Sequence, residues 1–516
     1  MHHITHVTSI YGTLVDVGHH DIGYATQRPA LNLFGVFRRM FIVLARIAFQ
    51  HLGVQHFALL TLMVTAMLGL MFSISTFAAD EKVSESTKQN ATNPTAPEAN
   101  EPQETFNAKY QTTWVVSEHG SFNAPYSGAN SLMPIHEKAY TWTVTAYLGF
   151  RPFANTEVYF NPEMIQSNQF SGLHGLGGFN NNENQKSGET TPTFYRARLF
   201  ARQTFNLGGE KIRLESGPNQ LAGAVDINRV VLTVGNISTP DIFDNNSYAH
   251  DARTQFLNWT FFTHIASDFA ADARGYTWGA ALEYYVNDWA FRVGQFTQPI
   301  NSNGLYLEHS ITRHPAQQFE IEHSYNLMGQ PGKVRLSGFR NHARMGNFYD
   351  AVTLAQINGK DSPDVANVRR DQNKTGGGLN FEQGLTSDIG VFGRAGFNNG
   401  KTETYQFSEV DRSISGGVSV KGTLWGREKD TVGFATAKND ISSSHRNYLA
   451  VGGLGAFIGD GQLPNYRSEK IFETYYNTVL NNHISLAIDY QRIANPAYNA
   501  ERGSVNIYAI RLHAEY

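Results

Sequence analysis

The feature that most constrains this chain is a period-two alternation of apolar and polar side chains, which runs from Phe106 to Tyr516. The last segment shows it clearly, since its apolar face carries Tyr508, Ile510, Leu512, Ala514 and Tyr516, and its polar face carries Arg511, His513 and Glu515. Only an extended strand places alternate side chains on opposite faces. A soluble sheet could show the same pattern, but a last strand that ends at an aromatic residue is typical of outer-membrane barrels.

The spacing of the strands points the same way. Tight turns such as Asn287-Asp288 and Asn481-Asn482 separate some strands, and long stretches rich in Gly, Asn and Ser, such as 166–188, separate others. Short turns at one end and long loops at the other are the plan of bacterial barrels. A soluble sandwich or propeller would need polar outward faces, whereas these faces are apolar with aromatic ends. At roughly 25 residues per strand, residues 106–516 predict an all-β, transmembrane antiparallel β-barrel of about 16 strands, with 14–18 allowed.

Composition excludes several other functions. Aromatic residues make up 12% of the chain and charged residues only 17%, and there is no cysteine, so no thiolate metal site and no Cys nucleophile. The net charge is −4, without a basic stretch, which argues against a nucleic-acid partner. We find no metal or cofactor motif, and we interpret the glycine-rich run at 453–459 as a turn, because no strand–helix unit surrounds it. The chain is therefore not expected to be an enzyme.

The N-terminal region has the parts of an export signal. An apolar run from Phe57 to Ile74 follows Arg38, Arg39 and Arg46, and small residues at 76–79 come next. We expect residues 1–79 to be an N-terminal extension and secretory signal peptide, cut after Ala78 or Ala79. The alternative is a retained membrane anchor. Since such signals are shorter than 79 residues, Met40 is a more sensible start, and residues 1–39 have no obvious role. The polar, proline-bearing residues 80–105 predict a disordered periplasmic linker.

Three arginines on one strand are the strongest candidates for contact with a solute. Alternation predicts that Tyr195 and Ala197 face lipid and that Arg196, Arg198 and Arg202 face the lumen, where guanidinium groups offer paired donors to hydroxyl, carboxylate or phosphate groups. The alternative is that they pair with lumen carboxylates and only balance charge. Glu283 and Arg292, on adjacent predicted strands, are further candidates for the polar lining.

Five stretches resemble the carbohydrate-selective porin (OprB) family. They are 234–248 (VGNISTPDIFDNNSY), 254–258 (TQFLN), 271–279 (ADARGYTWG), 489–499 (DYQRIANPAYN) and 511–516 (RLHAEY). The resemblance implies a 16-stranded barrel for passive sugar uptake and a narrowed channel lined with charged residues, to which Arg196 and Arg198 would contribute. It also implies that residues 241–258 form a loop near the pore.

The leading hypothesis is therefore a porin in the outer membrane of a Gram-negative bacterium that lets sugars diffuse through a water-filled channel. Its partners would be sugars or other small polar solutes and outer-membrane lipid, with the oligomeric state open. A general or anion-preferring porin is the second hypothesis, because lumen arginines also attract anions. A third is a mainly structural protein whose residues 80–105 hold a periplasmic partner.

Overall fold

A computed structural model describes residues 103–360 and 362–516. The predicted signal peptide (1–79) and most of the predicted linker lie outside the described residues. Within the described part, sixteen antiparallel strands close into one barrel, which confirms the predicted fold class and strand number. No helix in the described part is long and apolar enough to cross a membrane.

The strands, in chain order, are β1 (Phe106–His119), β2 (Glu137–Phe153), β3 (Thr156–Asn168), β4 (Thr193–Asn206), β5 (Lys211–Leu214), β6 (Gly223–Asp226), β7 (Arg229–Ile237), β8 (Thr277–Val286), β9 (Trp289–Phe296), β10 (Ala316–Leu327), β11 (Gln330–Met345), β12 (Arg370–Gly384), β13 (Ile389–Asn398), β14 (Arg412–Lys421), β15 (Thr431–Asp440), β16 (Glu469–Val479), β17 (Ile484–Ala494) and β18 (Val505–Glu515). The α-helices are α1 (Trp259–Phe262), α2 (Phe348–Ile357) and α3 (Ser443–Ala450). Short 3-10 turns lie at Phe170–Gly172, Thr239–Asp241, Val365–Val368, Gly422–Trp425 and Pro496–Tyr498.

Neighbouring strands of the barrel follow one another in the chain, with one exception. β5 and β6 form a separate two-stranded hairpin, so β4 pairs with β7. The barrel closes where β18 pairs with β1, for example at Trp114 and Leu512. Closure leaves no unpaired edge, which a strand in hydrocarbon could not tolerate.

The two faces of the wall differ as the alternation predicts. On β18, Tyr508, Ile510 and Leu512 are exposed on the outer wall, while Arg511 and His513 are buried inside. On β2, Trp142 and Phe150 are exposed on the outer wall, and the threonines between them are buried. The wall is therefore apolar outside and polar inside, as a bilayer and a hydrated lumen require.

In the part of the chain that the structure describes, short turns lie at one end of the barrel and eight longer loops lie at the other. The turns include Asn287-Asp288, where Asn287 adopts the positive φ that a tight hairpin needs. The longer connections are loop 1 (120–136), loop 2 (169–192), loop 3 (238–276), loop 4 (297–315), loop 5 (346–369), loop 6 (399–411), loop 7 (441–468) and loop 8 (495–504). By the usual orientation of such barrels, the loops lie outside the cell and the turns in the periplasm.

The longer loops fold into the barrel rather than away from it. Loops 2, 3, 5, 6 and 7 contribute buried aromatic residues to one apolar cluster, which includes Phe170, Phe179, Trp259, Phe348, Phe407, Tyr448 and Phe457. Within it, the rings of Trp259 and Phe407 stack at a centroid distance of 5.1 Å. The loops thus form a core of their own inside the barrel and narrow its lumen.

The β5–β6 hairpin folds back at the periplasmic end. Leu221 beside it is fully buried, and its amide donates to the hydroxyl of Tyr159 at 3.1 Å. Glu104 accepts hydrogen bonds from Ser216 (2.9 Å) and from the amide of Ala222 (2.7 Å). Glu104 was predicted to lie in the disordered linker, but these bonds hold it beside the hairpin.

Candidate functional site

A β-bulge in β4 decides where its three arginines lie. Asn161 of β3 pairs with Arg198 and Pro162 pairs with Arg196, so Ala197 is an extra residue that has no partner in β3. Pro162 has no N–H to offer the ladder, and bulges are among the few places inside a sheet where proline is tolerated. One extra residue reverses the faces of every side chain on one side of it.

Because of this bulge, Arg196 lies on the outer wall and the prediction that it faces the lumen is wrong. Its guanidinium group lies 5.0 Å from the ring centre of Trp278, which is 40% exposed on the outer wall. Tyr195 was predicted to face lipid, but it lies inside, where its hydroxyl donates to Glu163. Simple alternation treats Ala197 as a regular strand residue. Because Ala197 is the extra residue of the bulge, Tyr195 and Arg196 lie on the faces opposite to those that alternation predicts.

Arg198 lies inside the barrel, as predicted. Its Nε and Nη2 donate to the two carboxylate oxygens of Asp241 at 2.7 and 2.6 Å. The guanidinium group also lies 5.2 Å from the ring centre of Tyr276. Asp241 and Tyr276 belong to loop 3, so this forked ion pair joins the wall to that loop.

Arg202 also lies inside, but closer to the periplasmic end. Its Nη1 donates to the carbonyl of Asn219 in the hairpin connection at 3.0 Å and lies 3.7 Å from the Glu157 carboxylate. Tyr159 lies beneath it, at 5.3 Å from its guanidinium carbon. Arg202 therefore links the wall to the β5–β6 hairpin.

Glu283 and Arg292 lie directly opposite each other on β8 and β9 and form an ion pair of 3.2 Å on the inner wall. The pair continues around the barrel as a row of alternating charges: Arg292 contacts Glu320 (2.8 Å) and Glu322 (3.2 Å), and Arg335 contacts Glu322 (2.6 Å) and Glu382 (3.2 Å). All of these side chains are buried. Both arginines of this row are therefore fully paired, and its four glutamates outnumber them.

Carboxylates of the inner wall hold loop 3 by its main chain. Glu320 accepts from the amide of Asp244 at 2.7 Å, and Glu382 accepts from the amide and hydroxyl of Ser247, each at 2.8 Å. On the other side of the barrel, Glu473 accepts from the amides of Leu257 and Asn258. Loop 3 is thereby fixed across the lumen, and the prediction of a loop near the pore at 241–258 agrees with its position.

Between loop 3, loop 2 and the wall of β2–β4 lies a cavity of about 320 Å³. We call it the lumen cavity. Its lining includes the basic residues Lys186, Arg198, Arg253 and Arg274, the acidic residues Glu163, Glu183, Asp241, Asp251 and Asp272, and the aromatic residues Trp259, Phe262, Phe269, Tyr276 and Phe407. Arg198 is the one residue of the five candidates from the sequence that is in this lining.

Arg253 is the second arginine of the lumen cavity. Its Nε donates to Glu183 at 3.0 Å, its Nη1 to the Tyr147 hydroxyl at 2.9 Å, and its Nη2 lies 3.5 Å from Glu163. Its side chain is 17% exposed, and it forms part of the cavity lining. Arg198 and Arg253 thus both present donors to the cavity while each is paired with a carboxylate.

Lys186 in loop 2 is the third cation of the lumen cavity. Its Nζ donates to Asn303 at 2.8 Å and to the carbonyl of Gln406. Burial lowers the pKa of Lys186 to about 7, against the opposing effect of Asp268 and Asp272. Its charge therefore changes near neutral pH.

Sequence reasoning missed Arg253 and Lys186, because loop residues carry no periodicity that assigns them to a face. One signal for the β4 bulge was present. Pro162 stands in the middle of a strand-like stretch, where it marks an interruption of the ladder.

A closed sixteen-stranded barrel with an apolar outer wall, and with inward-folded loops around a polar cavity, defines a porin of the Gram-negative outer membrane. The family model described as "Carbohydrate-selective porin, OprB family" matches residues 95–516. The chain therefore belongs to the carbohydrate-selective porin (OprB) family, and it is a sugar-selective channel rather than an enzyme.

A solved structure agrees with this fold. The high-pH structure of Pseudomonas putida OprB is similar with a TM-score of 0.62 and 16% sequence identity, covering 80% of this chain and 94% of that chain. The outer membrane channel DcaP of Acinetobacter baumannii gives a TM-score of 0.44 at 8% identity, covering 80% of this chain and 98% of that chain. No curated protein sequence matches the chain.

Proposed function

We propose that sugars cross this barrel through the lumen cavity and that Arg198 and Arg253 contact them directly. The observation that carries the proposal is the pairing of both guanidinium groups with carboxylates in one cavity. Such a lining offers many hydrogen-bond donors and acceptors with little net charge, and this suits a neutral polyhydroxylated solute. Weak contacts of this kind favour admission of the solute without trapping it.

The aromatic part of the lining supports the same class of solute. Trp259, Phe262 and Tyr276 present ring surface beside the charged groups. Sugars have apolar C–H faces as well as hydroxyl groups, so a cavity that combines rings with paired charges matches both. Outside the barrel, lipid would cover the exposed apolar wall.

The charge balance argues against an anion-preferring pore. Four basic residues of the lining face five acidic ones, so the cavity has no excess of positive charge. The lumen arginines alone had suggested anion preference. Their carboxylate partners, however, cancel the positive electrostatic potential of the arginines at short range.

The test compares two arginines two residues apart. In planar bilayers, Arg198→Ala should weaken sugar block of the ion current about tenfold, because it removes charge-assisted hydrogen bonds. It should also shift the reversal potential toward cation preference, because Asp241 is left unpaired. Arg196→Ala is the matched control on the outer wall and should leave both quantities unchanged.

A double variant separates charge from contact. Arg198→Ala with Asp241→Ala restores the charge balance, so the reversal potential should return toward that of the unmodified protein while sugar block stays weak. The proposal fails if Arg198→Ala keeps full sugar block, or if a panel of sugars permeates no faster than ions of similar size in liposome swelling.

A further inference from the structure

Four exposed cations lie together on the outer wall, near the extracellular ends of β14–β17. They are Arg412, Lys438, Lys470 and Arg492, each within three residues of the extracellular end of its strand. The outward position of each follows from the exposed apolar neighbours that share its face, which are Ile414, Phe434, Phe472 and Ile488. We call the four cations the basic wall patch.

The strand register brings these charges close to one another. Lys438 lies directly opposite Lys470, where side chains are roughly 5 Å apart at Cβ. Lys438 also lies opposite Ile414, two residues from Arg412, and Phe472 lies opposite Arg492. Like charges placed directly opposite each other destabilise a sheet, so this arrangement calls for an anion to offset it.

The protein places little negative charge of its own beside these four cations. Asp440 lies 3.1 Å from Lys438 and stands opposite Arg412 in the strand register, and the amide oxygen of Asn506 lies 3.4 Å from Arg492. Among the described residues, the side chains of Arg412 and Lys470 have no hydrogen-bond or ion-pair partner. By contrast, Lys138 at the same end of β2 has Glu118 at 3.9 Å.

A further cation lies beside Tyr466, a residue that binds Asp440. Arg446 of α3 packs over the ring of Tyr466 at 5.0 Å, and the hydroxyl of Tyr466 donates to Asp440 at 2.9 Å. The carboxylate of Asp440 is therefore already shared with Tyr466, and it offsets only part of the positive charge around it.

We propose that the basic wall patch binds the phosphate group of a phosphorylated glycolipid of the outer leaflet. The cations lie at the level where lipid headgroups meet the barrel, and the exposed side chains of Ile414, Phe434, Phe472 and Ile488 extend below them along the wall. A phosphorylated lipid matches this order, with its phosphate against the cations and its acyl chains against the apolar residues. A free phosphate ion would use the cations but not the apolar surface.

The experiment measures lipid binding to the purified full-length mature porin in detergent by native mass spectrometry. The probe is bisphosphorylated lipid A. Arg412→Gln with Lys470→Gln should weaken its binding roughly 30-fold, because each basic residue near such a surface strengthens binding roughly fivefold. Lys138→Gln with Arg196→Gln, on the outer wall of β2 and β4, is the matched control and should bind as the unmodified protein does.

Two further measurements test whether the phosphate group and the positive charge are responsible for binding. Dephosphorylated lipid A should bind as weakly to the unmodified protein as lipid A binds to the double variant, and Lys470→Arg should keep the affinity. Heat-dependent gel mobility shows that each variant is folded. Equal binding of lipid A to the double variant, or of the dephosphorylated lipid to the unmodified protein, would overturn the proposal. Displacement of the lipid by millimolar inorganic phosphate would overturn the assignment to a lipid.

Discussion

Lys186 shows how a single side chain can make a balanced cavity depend on pH. It is surrounded by protein, and the burial that lowers its pKa to about 7 is only partly offset by Asp268 and Asp272. Below pH 7 the ammonium form adds one positive charge to the lumen cavity, and above pH 7 that charge is lost.

We therefore expect the ion preference of the channel to shift toward cations as the pH rises from about 6 to about 8. Reversal potentials in a salt gradient, measured across this window, check the prediction. Lys186→Met removes the titrating group and should give the cation preference of the high-pH state throughout. An unmodified channel whose reversal potential did not change across the window would show that Lys186 keeps its charge or lies off the conducting path.

At the same scale, the contrast between Arg196 and Arg198 shows what alternation can and cannot predict. The positions of Arg198 and Arg202 inside the barrel follow from counting along the strand, because both lie on the same side of the bulge. The position of Arg196 depends on Ala197 having no partner, which is a property of the pairing with β3 and not of β4 alone. Pro162 was the local indication of it.

At the scale of the strand, a charged side chain should destabilise the barrel when it lies on the outer face and should be tolerated when it lies on the inner face. Ile488 is 59% exposed on the outer face of β17, opposite Ile510 of β18, and Ser485 lies on the inner face of the same strand. Ile488→Arg should lower the free energy of unfolding by about 2–4 kcal/mol if its depth is near the bilayer midplane.

Ser485→Arg is the control for that substitution. It adds the same side chain to the polar side of the wall, so it should leave the free energy of unfolding nearly unchanged. Urea unfolding in lipid vesicles, followed by tryptophan fluorescence, compares the two variants. Equal destabilisation by both would contradict the assignment of the faces of β17.

Strands and loops differ in how far the sequence reveals them. Apart from the bulge in β4, strand number and the inner and outer faces follow from alternation, because the residues of a regular strand set its pattern by themselves. The loops obtain their positions from distant partners, as when Glu409 of loop 6 accepts from the amides of Ala456, Phe457 and Ile458. The glycine-rich run at 453–459 therefore forms a turn, as predicted, but its amides bind a carboxylate of the same chain.

At the scale of the whole molecule, we propose that export removes residues 1–79. The apolar run from Phe57 to Ile74 and the small residues after it support a cut after Ala78 or Ala79. N-terminal sequencing of protein taken from outer membranes should give a chain that begins at Ala79 or Asp80. Recovery of protein that still contains the apolar run would mean that this segment is a retained anchor.

The way loop 3 is fastened has a consequence for how such channels diversify. Glu320 and Glu473 hold it largely through main-chain N–H groups, and every residue except proline supplies that group whatever its side chain. Mutation can therefore exchange the side chains that the loop presents to a solute while the attachment points remain satisfied. Substitutions within the loop can therefore change which solute the channel prefers, while the barrel around the loop stays the same. Engineered libraries confined to 250–253, which line the lumen cavity, would change recognition and leave the attachment of the loop intact.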